Sequence, residues 1–450
     1  MRPSSSHSDG LFSALVAHGP VAAEVGGKPW LQALLDVESA LARAVASVGL
    51  VPQEAARAIA EACADAAGYD ADELGRAAAL GGNPVIPLVR AVEQRVGADG
   101  RWVHYGATSQ DVLDTAMVLV ARRALAVLVH DLAGVVEAAA DLAREHRGTA
   151  MSGRTLLQQA VPTTFGLKAA GWALALDGAS QRLSAVDLPV QLGGAAGTLA
   201  SYAGQGQQVA AALADELGLT CSVLPWHTAR LPVADLACGL GTTSGAVAKV
   251  ALDVVLLAQT EVAEVAEALE GAGGSSAMPH KSNPIAAVQA RACARRAPGL
   301  VATLLSCMEQ EHERAAGGWH AEWAPLSDLL ASTGAAVAWL RTSLEALHVD
   351  VKRMRANLDL SPGGSTAVSA ALTESLGRAQ AHVVVVAAVA DARARGIPLR
   401  DALLASREVR NVLPPDRLGA LLAAAPHTGE ATRLVDAALV ALRPDPRSRP

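Results

Sequence analysis

The chain is poor in aromatic residues and in long hydrophobic runs. Aromatic residues make up only 3% of its 450 residues, so its core must be built from Ala, Leu and Val. Ala and Leu are strong helix formers, and small side chains let helices approach closely, so this composition predicts an all-α protein of packed long helices. No run of eighteen uncharged apolar residues occurs, which argues against a membrane-spanning helix and against a membrane partner.

Two further absences bear on the cellular compartment. The N-terminus, Met1-Arg2-Pro3 followed by serines, lacks the apolar segment of a secretion signal, so we expect a cytoplasmic protein. The cysteines are odd in number and show no CxxC spacing, which predicts buried, reduced thiols rather than disulfides or metal ligands. They are Cys63, Cys221, Cys238, Cys293 and Cys307.

The charge pattern restricts the partners. The net charge is −7, so no basic surface favours nucleic acid or anionic lipid. A polyanionic substrate would need a local cluster of cations, for which the candidates are Arg154, Arg230, Lys281 and Arg314. The chain has no GxGxxG after a strand, no P-loop and no metal-ligand spacing, so we expect neither a cofactor nor a metal ion.

Hydrophobic periodicity predicts helices along most of the chain. Apolar residues recur at three- and four-residue spacing from Trp30 to Val48 and from Pro52 to Ala67, and long stretches such as Val233 to Leu269 have few interior breakers. We therefore predict three helical domains, at residues 1–103, 104–348 and 349–450, of which the second is a central long-helix bundle.

An acidic series falls within the last of these stretches. It consists of Glu261, Glu264, Glu267 and Glu270, which the helical period places on one face. We interpret this face as a solvated or inter-subunit surface in preference to a metal site.

The segment 273–284 contains the densest set of reactive side chains. It begins with two glycines, and two prolines limit where it bends, while Ser275, Ser276, Lys281 and Asn283 supply hydroxyl, ammonium and amide groups. This pattern predicts a lid that closes over a charged substrate and delivers a proton-transfer group. The alternative is a Gly/Ser linker between two helices.

Three other strings combine polar residues with predicted helix ends, where free N–H groups favour anions. HYGATSQD at 104–111 offers Thr108 and Ser109 as a helix cap, a carboxylate cradle, or both. GRTLLQQAVPTT at 153–164 combines a carboxylate-binding Arg154 and Gln158 with a helix-capping turn. PWHTAR at 225–230 places His227 and Arg230 about one helical turn apart, where both can face one pocket.

Taken together and in this order, these strings resemble the fumarase/aspartase superfamily, and within it the bacterial 3-carboxy-cis,cis-muconate cycloisomerase branch. The matching strings are GNP at 82–84, HYGATSQDVLDT, GRTLLQQAVPTTFG, QLGGAAGTL, PWHTARLP, GSSAMPHKSNP, GGWHAEW and NLD at 357–359. The resemblance implies an all-α subunit that forms a homotetramer, with active sites where several subunits meet. It also implies a small polycarboxylate substrate.

The resemblance further implies the reaction and the roles of residues. One carboxylate of 3-carboxy-cis,cis-muconate adds reversibly across a double bond to give 4-carboxymuconolactone. Ser275 transfers the proton, assisted by Lys281, and Asn283 binds with Lys281 the carboxylate on which charge develops. The remaining implied substrate-binding residues are His104, Thr108, Ser109, Arg154, Gln158, His227, Arg230, Ser276, Met278 and Arg314.

Leu156 marks a departure from the wider superfamily. Fumarate-releasing relatives commonly carry His at this position, and a leaving group that is already a carboxylate needs no such acid. Leu156 thus favours a cycloisomerase over an adenylosuccinate-type lyase. Ser282 and Ser365-Thr366 also depart from the pattern of the family. They leave a second function open, namely a β-elimination lyase that acts on a substituted succinate, such as nitrosuccinate, and releases fumarate. A catalytically silent structural protein is disfavoured because Ser275, Lys281 and Asn283 are intact.

Overall fold

The computed structural model describes residues 11–269, 271, 273–274, 278, 281–359, 364–423 and 427–442. Helices dominate this part of the chain, so the prediction of an all-α protein is confirmed. In chain order, the helices α1 to α20 are Ser13–Val16, Val21–Glu24, Gly27–Ser47, Gln53–Ala62, Ala71–Gly81, Val85–Val96, Ser109–Glu145, Phe165–Ser184, Gly206–Leu217, Leu231–Ala258, Ile285–Ala294, Ala297–Ser306, Gly318–Glu345, Val351–Asp359, Gly364–Leu376, Arg378–Arg395, Leu399–Ala405, Arg407–Val412, Pro415–Ala423 and Ala431–Ala441.

Short strands form three two-stranded sheets. In chain order, the strands β1 to β6 are Ala150–Thr155, Gln158–Thr164, Pro189–Val190, Thr220–Cys221, Val265–Glu267 and Leu347–Val349. β1 pairs with β2 and β5 with β6 in antiparallel fashion, whereas β3 and β4 are parallel. The first pair is a hairpin in a region where the sequence suggested only a turn.

The chain divides into two compact units. Unit 1 comprises Met1–Val135, Leu176–Leu252 and Ile285–Ser343. Unit 2 comprises Val136–Ala175, Asp253–Pro284 and Leu344–Pro450. The division into three domains at residues 103 and 348 stays a prediction.

The core of unit 1 is built mostly from small and branched aliphatic side chains. Leu35 of α3, Ile59 of α4, Leu88 of α6 and Leu119 of α7 belong to one buried cluster. Glycine lets helices approach closely, because a Cβ added to Gly241 of α10 would lie 2.9 Å from a methyl carbon of Val301 in α12. Such close packing of helices is what the shortage of aromatic residues predicts.

The C-terminal part of unit 2 has a core of its own. Val368 and Leu372 of α15 pack with Ala381 of α16, Leu403 of α17 and Leu418 of α19 in one buried cluster. These helices present the three- and four-residue apolar spacing that marks one buried face.

Among the described residues, helix α10 is long enough and apolar enough to cross a membrane, judged by length and composition alone. Its most apolar window has a mean hydropathy of 1.5, and 44% of that window is buried within the chain. The core helices of soluble proteins can have the same length and composition, so the helix is weak evidence for a membrane span.

The interpretation of the acidic series as one helical face is wrong. Helix α10 ends at Ala258, and the chain then turns through Ala263, whose φ is +51°, into strand β5. Glu264 is fully buried and Glu267 belongs to β5, so the two do not share a helical surface. Glu270 lies outside the described residues.

All five cysteines are free, but the prediction that all are buried is wrong for two of them. Cys63, Cys293 and Cys307 are buried, and burial raises the pKa of the Cys63 thiol to about 12. Cys221 and Cys238 are exposed within this chain, because the first lies in the short strand β4 and the second on an outward position of α10.

Candidate active site

The N-terminus of α7 is fixed by the carboxylate of Asp111. Asp111 Oδ2 accepts a hydrogen bond from the Thr108 backbone N–H at 3.0 Å, the back-bond of a capping box. The same carboxylate accepts the N–H groups of Gly193 and Gly194 at 2.8 and 2.9 Å. Asp111 thereby joins the HYGATSQD string to the QLGGAAGTL string and holds half-buried Thr108 and Ser109 at the start of α7. The helix begins at the predicted place, but the bond shown at its start runs from the Thr108 backbone N–H to Asp111 and not to the hydroxyl of Thr108 or Ser109 that the sequence predicted as the cap.

His227, from the PWHTAR string, also contacts the carboxylate of Asp111. Its Nε2 lies 2.7 Å from Asp111 Oδ1, and its carbonyl oxygen accepts a hydrogen bond from the Gln110 side chain at 2.8 Å. Only glycine fits opposite the ring, since a Cβ added to Gly193 would lie 2.7 Å from His227 Cε1. His227 is therefore buried against protein groups that hold Thr108 and Ser109 in place.

Arg230 is buried between two carboxylates. Its guanidinium donates to Asp114 at 2.7 and 3.1 Å and to Glu322 at 3.0 and 2.5 Å, and only 1% of its side chain is exposed. Burial by itself would lower the pKa of Arg230, but the two carboxylates raise it above its ordinary value. Trp319 Nε1 also donates to Asp114 at 2.9 Å. The positive charge of Arg230 is thus already compensated.

The expected one-turn relation between His227 and Arg230 is wrong. Both precede α10 in non-helical backbone, and each pairs with a different carboxylate of α7. Asp111 and Asp114 are three residues apart on one helical face, and this is what brings the two side chains into one network.

Arg314 has different neighbours. Its guanidinium donates to Gln110 Oε1 at 3.2 Å and to the carbonyl oxygens of Gly194 and Ala195 at 3.4 and 2.8 Å. Within the part of the chain that the structure describes, no carboxylate lies within ion-pair distance of Arg314. Its charge is oriented by neutral acceptors next to the first turn of α7.

His104 is held by a buried carboxylate. Its Nδ1 lies 2.7 Å from Glu38 Oε1, and 18% of its side chain is exposed. Burial acts to lower the pKa of His104, but Glu38, with smaller contributions from Asp111 and Glu93, raises it above the ordinary value. The backbone at His104 has φ +57°, a left-handed conformation that L residues seldom adopt.

In unit 2, Arg154 is paired with the carboxylate of Glu264. The two guanidinium nitrogens donate to Glu264 at 2.9 and 2.6 Å, in a bidentate contact with a fully buried carboxylate. Asn357 donates its amide to the same carboxylate at 2.9 Å. Arg154 lies in β1 opposite Gln159, so this pairing anchors the hairpin near its tip.

The tip of that hairpin consists of two exposed leucines. Leu156 and Leu157 have φ values of +50° and +63°, and 96% and 78% of their surfaces are exposed. Gln158 follows directly in β2 and is also exposed. At the other end of β2, Thr164 Oγ1 accepts the Leu167 N–H at 3.1 Å, so the predicted helix-capping turn is confirmed.

The segment 273–284 is described only in part. Ser275 and Ser276 lie outside the described residues. Asn283 donates its backbone N–H and its side-chain amide to the Gly273 carbonyl, both at 2.9 Å, which closes the two ends of the segment on each other. Lys281 is exposed and Met278 is 41% exposed.

The carboxylates that orient these side chains were not predicted from the sequence. Glu38, Asp114, Glu264 and Glu322 are all buried. A detectable signal existed for Glu38, because it interrupts the apolar stripe of an amphipathic helix. Among the described residues, no three His, Cys, Asp or Glu side chains are grouped to hold a metal ion.

Comparison with known proteins identifies the family. Residues 18–299 match the family model described as Lyase, and residues 364–438 match the adenylosuccinate lyase C-terminus. The chain is 44% identical to a 3-carboxy-cis,cis-muconate cycloisomerase of Bradyrhizobium diazoefficiens over 97% of this chain and 98% of that protein. It is also 44% identical to a nitrosuccinate lyase of Streptomyces davaonensis, over 96% and 94%.

A solved structure agrees with these matches. The crystal structure of the 3-carboxy-cis,cis-muconate lactonizing enzyme from Pseudomonas putida superposes with a TM-score of 0.88 at 40% identity, over 96% of this chain and 98% of that one. Similarity therefore extends over nearly the whole length in both sequence and fold. The chain belongs to the fumarase/aspartase superfamily of lyases, in the branch that includes the 3-carboxy-cis,cis-muconate cycloisomerases.

Proposed function

We propose that this chain catalyses the reversible lactonisation of 3-carboxy-cis,cis-muconate to 4-carboxymuconolactone. The observation that carries the proposal is the environment of Arg314, a guanidinium oriented by three neutral acceptors beside Thr108 and Ser109 at the start of α7. A helix N-terminus with an adjacent uncompensated cation is suited to a carboxylate. The similar cycloisomerases and the lactonizing enzyme support the choice of substrate.

The proposed chemistry is an intramolecular addition without loss of atoms. In the lactonising direction, a carboxylate oxygen forms a bond to an alkene carbon while the C=C π bond opens. The electron pair moves to the neighbouring carbon and is delocalised into the carboxylate attached there. That carbon then takes up one proton, and the reverse reaction removes the same proton and expels the ring carboxylate.

Stabilisation of the delocalised negative charge is expected to be the largest catalytic effect. We assign this role to Lys281 and Asn283, and we assign the proton transfer to Ser275. Arg314, Thr108 and Ser109 orient the substrate, with Gln158 at the tip of the hairpin. Arg154 and Arg230, already neutralised by carboxylates, contribute by supporting the backbone and side chains around them.

Leu156 is consistent with this direction of chemistry. A leucine can neither donate nor accept a proton, and the carboxylate expelled in the delactonising direction requires no proton from the enzyme. The leucine lies two residues before Gln158 at the hairpin tip, where 96% of its surface is exposed in the single chain.

We further propose that the chain acts as a cytoplasmic homotetramer with active sites shared between subunits. The support is helix α10, in whose most apolar window only 44% of the residues are buried within one chain. Apolar surface that one chain leaves uncovered favours association between copies.

A nitrosuccinate-type lyase is the second candidate. The relative of that name is as similar in sequence as the first cycloisomerase, at 44% identity. Expulsion of nitrite, a stable anion, would also need no acid at Leu156.

Ultraviolet absorbance separates the two candidates. Purified protein is mixed with 3-carboxy-cis,cis-muconate, and nitrosuccinate is run in parallel with a fumarate assay. The proposal expects rapid loss of the diene band and no fumarate. An unchanged diene band with fumarate formed from nitrosuccinate would contradict the proposal and establish the lyase.

Replacement of Ser275 tests the proton-transfer assignment. We expect Ser275→Ala to lower kcat by about a hundredfold or more, the usual contribution of a positioned proton-transfer group. Ser282→Ala, in the same segment, serves as the matched control and should retain turnover. Turnover of Ser275→Ala within a few-fold of the wild type would show that another group moves the proton.

A further inference from the structure

Glu38 is a buried carboxylate that the proposed reaction does not use. It lies on α3 between core residues, and none of its side-chain surface is exposed. Its Oε1 is 2.7 Å from His104 Nδ1, whereas its Oε2 is buried without a hydrogen-bond partner. Such a group is costly to bury unless a cation lies beside it.

His104 is the group that can supply this cation. Within the described residues, it is the one basic side chain within ion-pair distance of Glu38. The other charged groups that act on the imidazole are Asp111 at the start of α7 and Glu93 on α6, and both are carboxylates that favour its protonated form. Burial opposes this effect, yet the pKa of His104 remains raised.

The backbone around His104 is held in an unusual conformation. His104 and Gly106 have φ values of +57° and +75°, and a Cβ added to Gly106 would lie 2.6 Å from the Tyr202 ring. Left-handed backbone at a non-glycine residue persists only where its surroundings enforce it, and such strain is concentrated at functional sites. The turn joins His104 to Thr108 and Ser109.

The ring has one nitrogen left for a ligand. Nδ1 is taken up by Glu38, and the side chain is 18% exposed, so solvent reaches part of the imidazole. In the protonated ring both nitrogens are donors. A donor N–H at Nε2, carrying part of a positive charge, is suited to a carboxylate.

We propose that Glu38 is a positioning residue that holds His104, one of the substrate-binding residues that the family resemblance implies, as an imidazolium whose Nε2–H can bind a carboxylate. This inference rests on the proposed function for the nature of the ligand. The pairing of Glu38 with His104 does not depend on the substrate and can be tested separately.

Titration of His104 tests the pair without any turnover. Protein labelled with ¹³C at the histidine ring is titrated by NMR, and the His104 signal is assigned by its loss in His104→Gln. Glu38→Gln keeps the size of the side chain but removes its charge, so the His104 titration should move to lower pH. Asp36→Asn removes a carboxylate from the same helix that pairs with Arg123, and it should leave the His104 titration in place.

Steady-state kinetics then test the consequence for binding. Because loss of the imidazolium removes a carboxylate ligand, KM should rise as pH increases through the pKa of His104. In Glu38→Gln this rise should begin at lower pH. At pH values above the His104 pKa of both proteins, KM should be about tenfold higher than in the wild type for each unit that the pKa falls. The effect on kcat should remain within about threefold, since the residue acts on binding.

The results separate the possible failures. An unchanged His104 titration in Glu38→Gln would overturn the pairing. A shifted titration with an unchanged KM profile would show that His104 does not bind the substrate. If the wild type does not convert 3-carboxy-cis,cis-muconate, the proposed function fails while the titration still tests the pair. Should Glu38→Gln not fold, Glu38→Asp, whose shorter side chain withdraws the carboxylate, should give a smaller shift in the same direction.

Discussion

Arg230 and Arg314 belong to one unit, and Gln110 connects them because it donates to Asp114, a partner of Arg230, and accepts from Arg314. Their surroundings nevertheless differ in charge. Arg230 is enclosed by Asp114 and Glu322, and almost none of its side chain is exposed. Arg314 meets only neutral acceptors among the described residues. An arginine enclosed by buried carboxylates is needed to keep those carboxylates paired, whereas one oriented by carbonyl groups has its charge available for a ligand. We therefore expect the carboxylate neighbours to distinguish structural cations from substrate-binding ones.

The largest expected effect is that of removing Arg230. Arg230→Met leaves two buried carboxylates without a cation, which should lower the free energy of unfolding by about 3–5 kcal/mol. Urea unfolding monitored by circular dichroism measures the loss. The triple variant with Asp114→Asn and Glu322→Gln removes both stranded charges and should recover part of the stability. An Arg230→Met protein as stable as the wild type would contradict the role of the ion pairs.

Breaking the pair of Arg154 and Glu264 should cost less free energy of unfolding than removing Arg230 but more than breaking an exposed ion pair. The reason is that Arg154 is 22% exposed while Glu264 is fully buried. We expect Arg154→Met and Glu264→Gln to be coupled by about 1–2 kcal/mol in a double-mutant cycle of unfolding free energies. Additive effects would mean that the contact does not anchor the hairpin. A KM that rises far more in Arg154→Met than in Glu264→Gln would indicate that Arg154 binds the substrate directly.

An exposed ion pair gives the lower limit of the comparison. Arg395 and Asp391 are one helical turn apart on α16 with 58% and 40% of their side chains exposed. Asp391→Asn should change the free energy of unfolding by less than about 0.5 kcal/mol. A loss of unfolding free energy as large as that for the buried pairs would show that burial does not determine how much each ion pair contributes.

Local features of the fold were predictable from the sequence, and long-range ones were not. The start of helix α7 at Ser109 depends on residues close in sequence, and the sequence indicated it. The contacts of Glu38 with His104 and of Arg154 with Glu264 join residues 66 and 110 positions apart, and no local pattern specifies such partners.

The strands were missed for a related reason. The β1–β2 hairpin turns at Leu156 and Leu157, which carry none of the Gly or Asn that usually mark a two-residue turn. Its conformation depends instead on contacts such as that between Arg154 and Glu264. Similarly, helix α10 stops at Ala258, although the apolar period continues to Leu269.

The most direct test of the distinction between the two arginines is the kinetics of Arg314→Gln on 3-carboxy-cis,cis-muconate, with urea unfolding measured on the same preparation. Because the variant removes a charged hydrogen-bond donor from the substrate, we predict that kcat/KM falls by about 10- to 100-fold, while the unfolding midpoint stays near that of the wild type. Wild-type kcat/KM in a folded Arg314→Gln protein would contradict the account.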